Sequence, residues 1–154
     1  MAYAEGTSVP IEKSIAEIIT LLKKAGAERI GQFDEPERFT IQFLLQDRMV
    51  RFRVPFPPLA AMPTHNGRRE VLTAPQREER RQQAIRQRGR ALLLVIKAKL
   101  ESIESEVETF EEAFLAHVVM ADGATIYERI KEPLAIEYQT GAPNALMLEG
   151  PRNG

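Results

Sequence analysis

Ile11, Ile15, Ile18, Ile19 and Leu22 fall at i, i+4, i+7, i+8 and i+11, the spacing of one face of an α-helix. Pro10 stands at the entry, Lys23 and Lys24 suit the negative end of the helix dipole, and Gly26 suits a left-handed exit. The spacing predicts a helix over about 10–25. The period then changes to two. Phe39, Ile41 and Phe43 alternate with Thr40 and Gln42, and Val50, Phe52 and Val54 alternate with Arg51 and Arg53. These are two half-buried strands joined by a turn near Gln46-Asp47-Arg48. A shorter strand at Glu28–Phe33 precedes them, set off by a turn at Asp34-Glu35-Pro36. The first third therefore reads as a helix followed by a three-stranded antiparallel meander.

Between 55 and 75 the chain carries Pro55, Pro57, Pro58, Pro63 and Pro75, with Asn66-Gly67 in the middle. Each proline removes a backbone donor, so neither a helix nor a paired strand is expected to persist, and the stretch reads as a long extended or mobile loop. From Gln76 the helical spacing returns through Ile85, Leu92, Ile96, Leu100, Ile103 and Val107. A break is expected near 105–108. Thr109-Phe-Glu-Glu112 has capping-box form and opens a new helix, with Phe110, Phe114 and Val118 turned inward. Ala121-Asp122-Gly123 is a turn. Thr125-Ile-Tyr-Glu128 is a second capping box, opening a helix that Pro133 kinks and Gly141 ends. The predicted organisation is an αβββ unit at 1–56, a Pro-rich loop at 57–75, a helical unit at 76–140 packed with the first as one domain, and a flexible tail at 141–154. The fold class is α+β.

The apolar run Ala91–Ile96 adds a further expectation. A helix apolar on every side must be surrounded, by the rest of the fold or by another copy, so a homo-oligomer is expected.

Composition removes several function classes. No apolar run approaches the ~20 residues that span a bilayer, so no membrane partner is expected. The beginning of the sequence lacks the basic and apolar regions of a secretory signal, and the chain has no cysteine, which points to a cytoplasmic protein. Without cysteine the usual zinc sites cannot form, and no HExxH, EF-hand or P-loop pattern occurs. Neither a metal nor another cofactor is expected. For a histidine that activates a Ser or Thr nucleophile, only His65 and His117 are available. His65 lies in a loop with no motif around it, and His117, inside the apolar FLAHVVM run, reads as a core or surface-edge imidazole. Glu101, Glu104 and Glu108 share one helical face, spaced as a solvated stripe rather than a convergent metal site. No catalytic residue is assigned, and the reading is of a non-catalytic protein.

Charge supplies the remaining lead. The formal net charge is −1, but residues 68–99 hold ten basic side chains against three acidic ones. Arg77, Arg81 and Arg88 stand at i, i+4 and i+11, and Arg86, Arg90 and Lys97 repeat that spacing, giving two adjacent cationic stripes; Arg80 lies among them. Such stripes can follow a phosphate backbone, and Arg51 and Arg53 on an open sheet face would extend them into a single-strand platform. Against this, Glu78 and Glu79 interrupt the arginines, the chain has no tryptophan, and no aromatic side chain lies among the arginines at 77–90 for base stacking. The predicted nucleic-acid contacts are Arg51, Arg53, Arg77, Arg80, Arg81, Arg86, Arg88, Arg90 and Lys97.

The stretches AEGTSVPIEKSIAEIITLLKKAGA and VETFEEAFLAHVVMADGATIYERI, with RFRVPFP and RALLLVIKAKLESIES, resemble a group of small proteins encoded in bacteriophages and prophages. The resemblance implies a phage setting and transfers no site residues. With the charge pattern, it gives the expectation of a protein that binds single-stranded DNA in phage replication or recombination. The alternative is a phage-encoded modulator or inhibitor of a host defence protein, acting by protein contact.

Overall fold

In the computed structural model, which describes residues 2–144, the first helix, α1 (Ile11–Lys24), buries Ser14, Ile15, Ile18 and Leu22 on the face that the isoleucine spacing marks out. Ala25 and then Gly26, at φ +93°, turn the chain out of it. Three antiparallel strands follow in the order β1 (Glu28–Asp34), β2 (Arg38–Leu45), β3 (Arg48–Pro55). In the hairpin between β2 and β3, Leu45 pairs with Arg48 and both intervening residues take positive φ, Gln46 at 46° and Asp47 at 61°. That is the two-residue turn whose twist matches paired strands. Phe39, Ile41, Phe43, Val50 and Phe52 point to one face of the sheet and are buried beneath the helices.

The longest element is α2 (Ala74–Glu104). It starts two residues earlier than the spacing predicts, because Thr73 and Gln76 form a capping box and Pro75 sits in the first turn, where a missing N–H costs nothing. Gly89 lets α2 approach α1: a Cβ there would stand 2.9 Å from Ile11 Cγ1 and 3.4 Å from Ser14 Cβ. The helix ends as Glu106 turns left-handed (φ 58°), with Val107 N–H donating to Ser102 C=O. This exit leaves Val107 in solvent rather than on the inward face. The short α3 (Phe110–Phe114), opened by the Thr109–Glu112 capping box, delivers Phe114 into the centre. Phe43, Phe52 and Phe110 meet its ring at centroid distances of 6.0, 6.2 and 5.4 Å, the first two edge to face. One core thus draws on α1, the sheet, α2 and α3. The last helix, α4 (Ile126–Thr140), opens on the Thr125–Glu128 capping box, contains Pro133 and ends at Gly141 with φ 70°.

Two expectations need correction. The proline-rich stretch does carry local structure: a 3-10 turn at Leu59–Ala61, an Asx-type turn in which Asn66 Oδ1 accepts from the N–H groups of Arg68 and Glu70, and a bridge from His65 to Val71. Such turns need only local bonds, which proline spacing permits. The run at 91–96 is not wholly enclosed either. Leu92, Leu93 and Ile96 are buried, but Leu94 and Val95 are each 42 % exposed. Most of the predicted tail, 145–154, lies outside the described residues.

Candidate functional site

The arginines that suggest a nucleic-acid contact spend their hydrogen bonds inside the fold. Arg77, Arg81 and Arg88 lie along one side of α2, the first two facing the segment that follows β3 and the third the last residue of that strand. Arg77 donates to the carbonyls of Leu59 (3.0 Å) and Met62 (3.3 Å). Arg81 donates to Pro57 (3.0 Å) and, across to the β1–β2 turn, to Pro36 (2.5 Å). Arg88 donates to Pro55. The chain runs antiparallel to the helix, so each successive arginine catches an earlier carbonyl. Beyond Pro55 the prolines keep the chain from continuing as a paired strand, which leaves its carbonyls in need of donors, and a guanidinium offers several in a planar fork. These three residues form a clasp that holds the segment to α2.

The second stripe is divided. Arg86 binds Glu79 (2.7 Å) and the side chain of Gln83, and Arg90 binds Glu17 of α1 (2.7 Å). Lys97 stands exposed on a groove between α1 and α2, and Arg80 is exposed; neither has a hydrogen bond or ion pair among the described residues.

The sheet face carrying Arg51 and Arg53 is closed over Arg51 alone: the Arg53 side chain stays 43 % exposed, and Phe33, across Thr40 from it, is 60 % exposed. The chain after α3 returns along β3, with Val119 N–H donating to Met49 C=O, and then starts α4 beside that strand, packed on the 115–117 turn. Arg51 is only 12 % exposed, donates to Gly123 C=O (2.7 Å) and stands 3.7 Å from Glu128; Arg53 binds the same carboxylate at 2.9 Å. Glu128 does two jobs, since its other oxygen accepts from the Thr125 N–H in the capping box. The capping-box pattern reveals only the second job. The anchor to two arginines more than seventy residues away leaves no local trace in sequence.

Around this anchor is a cleft of about 480 Å³ where Arg51, Arg53, His117, Thr125, Tyr127 and Glu128 meet. His117 stacks on Phe52, with centroids 4.0 Å apart. Desolvation holds its pKa below the usual 6.5, assisted by the nearby Lys99 charge and opposed by a hydrogen bond to the Arg51 backbone. The Thr125 hydroxyl accepts from the Glu128 N–H in the cap. Among the described residues no hydroxyl is hydrogen-bonded to His117, and the arginine pair is neutralised in part by Glu128. The arrangement fixes the start of α4 to Arg51 and Arg53 of β3. Among the described residues no group of His, Asp or Glu converges as a metal site would require, and no helix is long and apolar enough to cross a membrane.

Beyond that anchor, α4 is bare. None of its residues is buried. Ile126, Ile130, Pro133 and Glu137 are half-buried and mark the side turned to the body. Beside them Tyr127, Leu134 and Tyr138, at i, i+7 and i+11, form a second seam that is 55, 43 and 88 % exposed. Comparison with family models, curated proteins and solved structures finds no match to this chain.

Proposed function

We propose that this protein is non-catalytic and acts by binding protein, with the outer seam of α4 as its docking element. The observation that carries the reading is the state of α4: a 15-residue helix with no buried residue and three large apolar side chains aligned in solvent. An isolated helix of that length is marginal in water, and aromatic side chains with polar tips are favoured at protein interfaces. The occupied arginines support the same choice. Of the nine cations that would carry nucleic-acid binding, Arg80 and Lys97 alone stand free of partners among the described residues.

The test places a photo-crosslinking amino acid at Tyr138, with exposed Glu12 of α1 as control. Discrete protein adducts from position 138, absent at 12, are expected in cells. Labelled single-stranded and duplex DNA are titrated in parallel across a salt series. Saturable, salt-dependent DNA binding that falls when Arg80 and Lys97 are replaced by Ala, together with no adduct at 138, would replace this reading by nucleic-acid binding.

A further inference from the structure

The cleft at the root of α4 is rich in hydrogen-bond donors and poor in negative charge. A guanidinium carries five N–H groups. Arg53 spends one of them on the Glu128 carboxylate, and Arg51 spends one on the Gly123 carbonyl. Arg51 Nε is buried with no partner. The hydroxyl protons of Thr125 and Tyr127, on the same cleft, have no acceptor among the described residues. Charge is unbalanced in the same sense. Of the residues that line the cleft, two guanidiniums face one carboxylate, and His117 is neutral at pH 7. Lys99 of α2, near enough to lower the basicity of that imidazole, adds a further cation.

We propose that this cleft is a binding site for a carboxylate, held by the unspent donors of Arg51 and Arg53 with the Tyr127 hydroxyl beside them. The inference goes beyond the docking helix and does not depend on it. Placement is the first reason. Arg51 and Arg53 alternate to the same face of β3, one largely shielded and the other open to solvent, so the pair offers a sheltered charge that a ligand can reach. A charge-assisted hydrogen bond is stronger at such a site than on an open surface. Helix α4 starts at Ile126, beside the Thr125 that lines the cleft, which adds the positive end of its dipole.

Charge decides which anion. Glu128 balances one of the two guanidiniums, and a single further negative charge balances the other. A carboxylate supplies that charge on two oxygens in a plane, the shape that a guanidinium fork matches. A phosphate group carries about −1.5 to −2 at neutral pH and would set its surplus against Glu128. Size is the last reason. At about 480 Å³ the cleft is far larger than a bare carboxylate requires, so the acid can be carried by a larger body, either an acidic side chain of a peptide or a small organic acid.

The Nε–H signals of Arg51 and Arg53 are followed by nitrogen-edited NMR of the full chain while acetate replaces chloride at constant ionic strength. Both signals are expected to shift together and to saturate. Arg53→Gln should weaken the binding at least fivefold. Glu128→Gln keeps an acceptor for the Thr125 N–H but removes the competing charge, and should tighten it at least threefold; a purely structural ion pair predicts no gain from that change. A blocked tripeptide whose one charge is a glutamate side chain is titrated in parallel. Tighter binding than acetate assigns the carboxylate to a peptide, and weaker or equal binding assigns it to a free acid; the site stands in both cases. Shifts that grow without saturating, a Glu128→Gln variant that binds no more tightly than the parent, or inorganic phosphate that binds more tightly than acetate would each overturn the proposal.

Discussion

Replacing Arg81 by Ala removes the middle of the clasp between α2 and the proline-rich segment. Its guanidinium donates to Pro57 and Pro36 carbonyls at 3.0 and 2.5 Å, with Glu78 3.8 Å away, and the side chain is only 18 % exposed. A hydrogen bond from a charged donor contributes roughly 1.5–3 kcal/mol net, and water can reach carbonyls freed near the surface, so the two together are worth about 2–3 kcal/mol. With a urea slope of roughly 1–3 kcal/mol/M, the midpoint should fall by about 1 M without a change of slope. Arg80→Ala is the matched control, an exposed arginine on the same helix whose loss should matter by less than about 0.5 kcal/mol. Arg81→Lys should recover part of the loss, since a single ammonium cannot reproduce the fork that serves two carbonyls. Equal urea midpoints for Arg81→Ala and Arg80→Ala would refute the clasp and return Arg81 to the pool of cations free for a ligand.

Other expectations follow from the same contacts. Gly89→Ala should lower stability, although alanine favours a helix by about 1 kcal/mol over glycine, because its Cβ would press on Ile11 where α1 and α2 cross; chemical denaturation gives the sign. In the β2–β3 turn, Gln46→Asn with Asp47→Gly should raise stability by roughly 0.5–1 kcal/mol, as those residues accept positive φ more readily, and a higher thermal midpoint with unchanged circular dichroism is the check. His117 has a folded pKa below its ordinary value, so the unfolded chain binds the extra proton; its contribution is complete above pH ~6.5 and is lost as pH falls below it. Stability measured against pH should show this decline, and His117→Gln should flatten that limb. Asp122, lowered chiefly by the hydrogen bond from Arg129, and Glu112, lowered chiefly by the Thr109 backbone bond, contribute above the ordinary carboxylate range and lose that contribution as pH falls through it, a later acid limb that His117→Gln leaves in place.

The elements were legible where local rules decide. The isoleucine spacing of α1, the alternation in β2 and β3 and the capping boxes at Thr109 and Thr125 each depend on residues a few positions apart, and each forms as the spacing predicts. Thr73-Ala-Pro-Gln76 carries a third capping box, hidden by its nearness to the prolines. The candidate site was harder to read because charge alone does not say what a charge faces. Arg77, Arg81 and Arg88 form the single stripe that their spacing implies, but its partners are backbone carbonyls 15 to 45 residues away, and a carbonyl has no residue type to read. Arg51 and Arg53 are on the outer face of β3 as the alternation requires, and the later return of the chain brings Gly123 and Glu128 to them. The bareness of α4 was illegible for the converse reason: periodicity shows which side of a helix is apolar, not whether anything lies against it.

Whether the arginine stripe belongs to the fold can be read at the guanidinium groups themselves. Arginine side-chain signals are followed by nitrogen-edited NMR while a single-stranded oligonucleotide is added at low ionic strength. The structure predicts slowly exchanging, distinct signals for Arg77, Arg81 and Arg88 that do not move, with Arg80 averaged by solvent. Concerted, saturating shifts of those three signals, as phosphate displaces the carbonyls of the proline-rich segment, would contradict it.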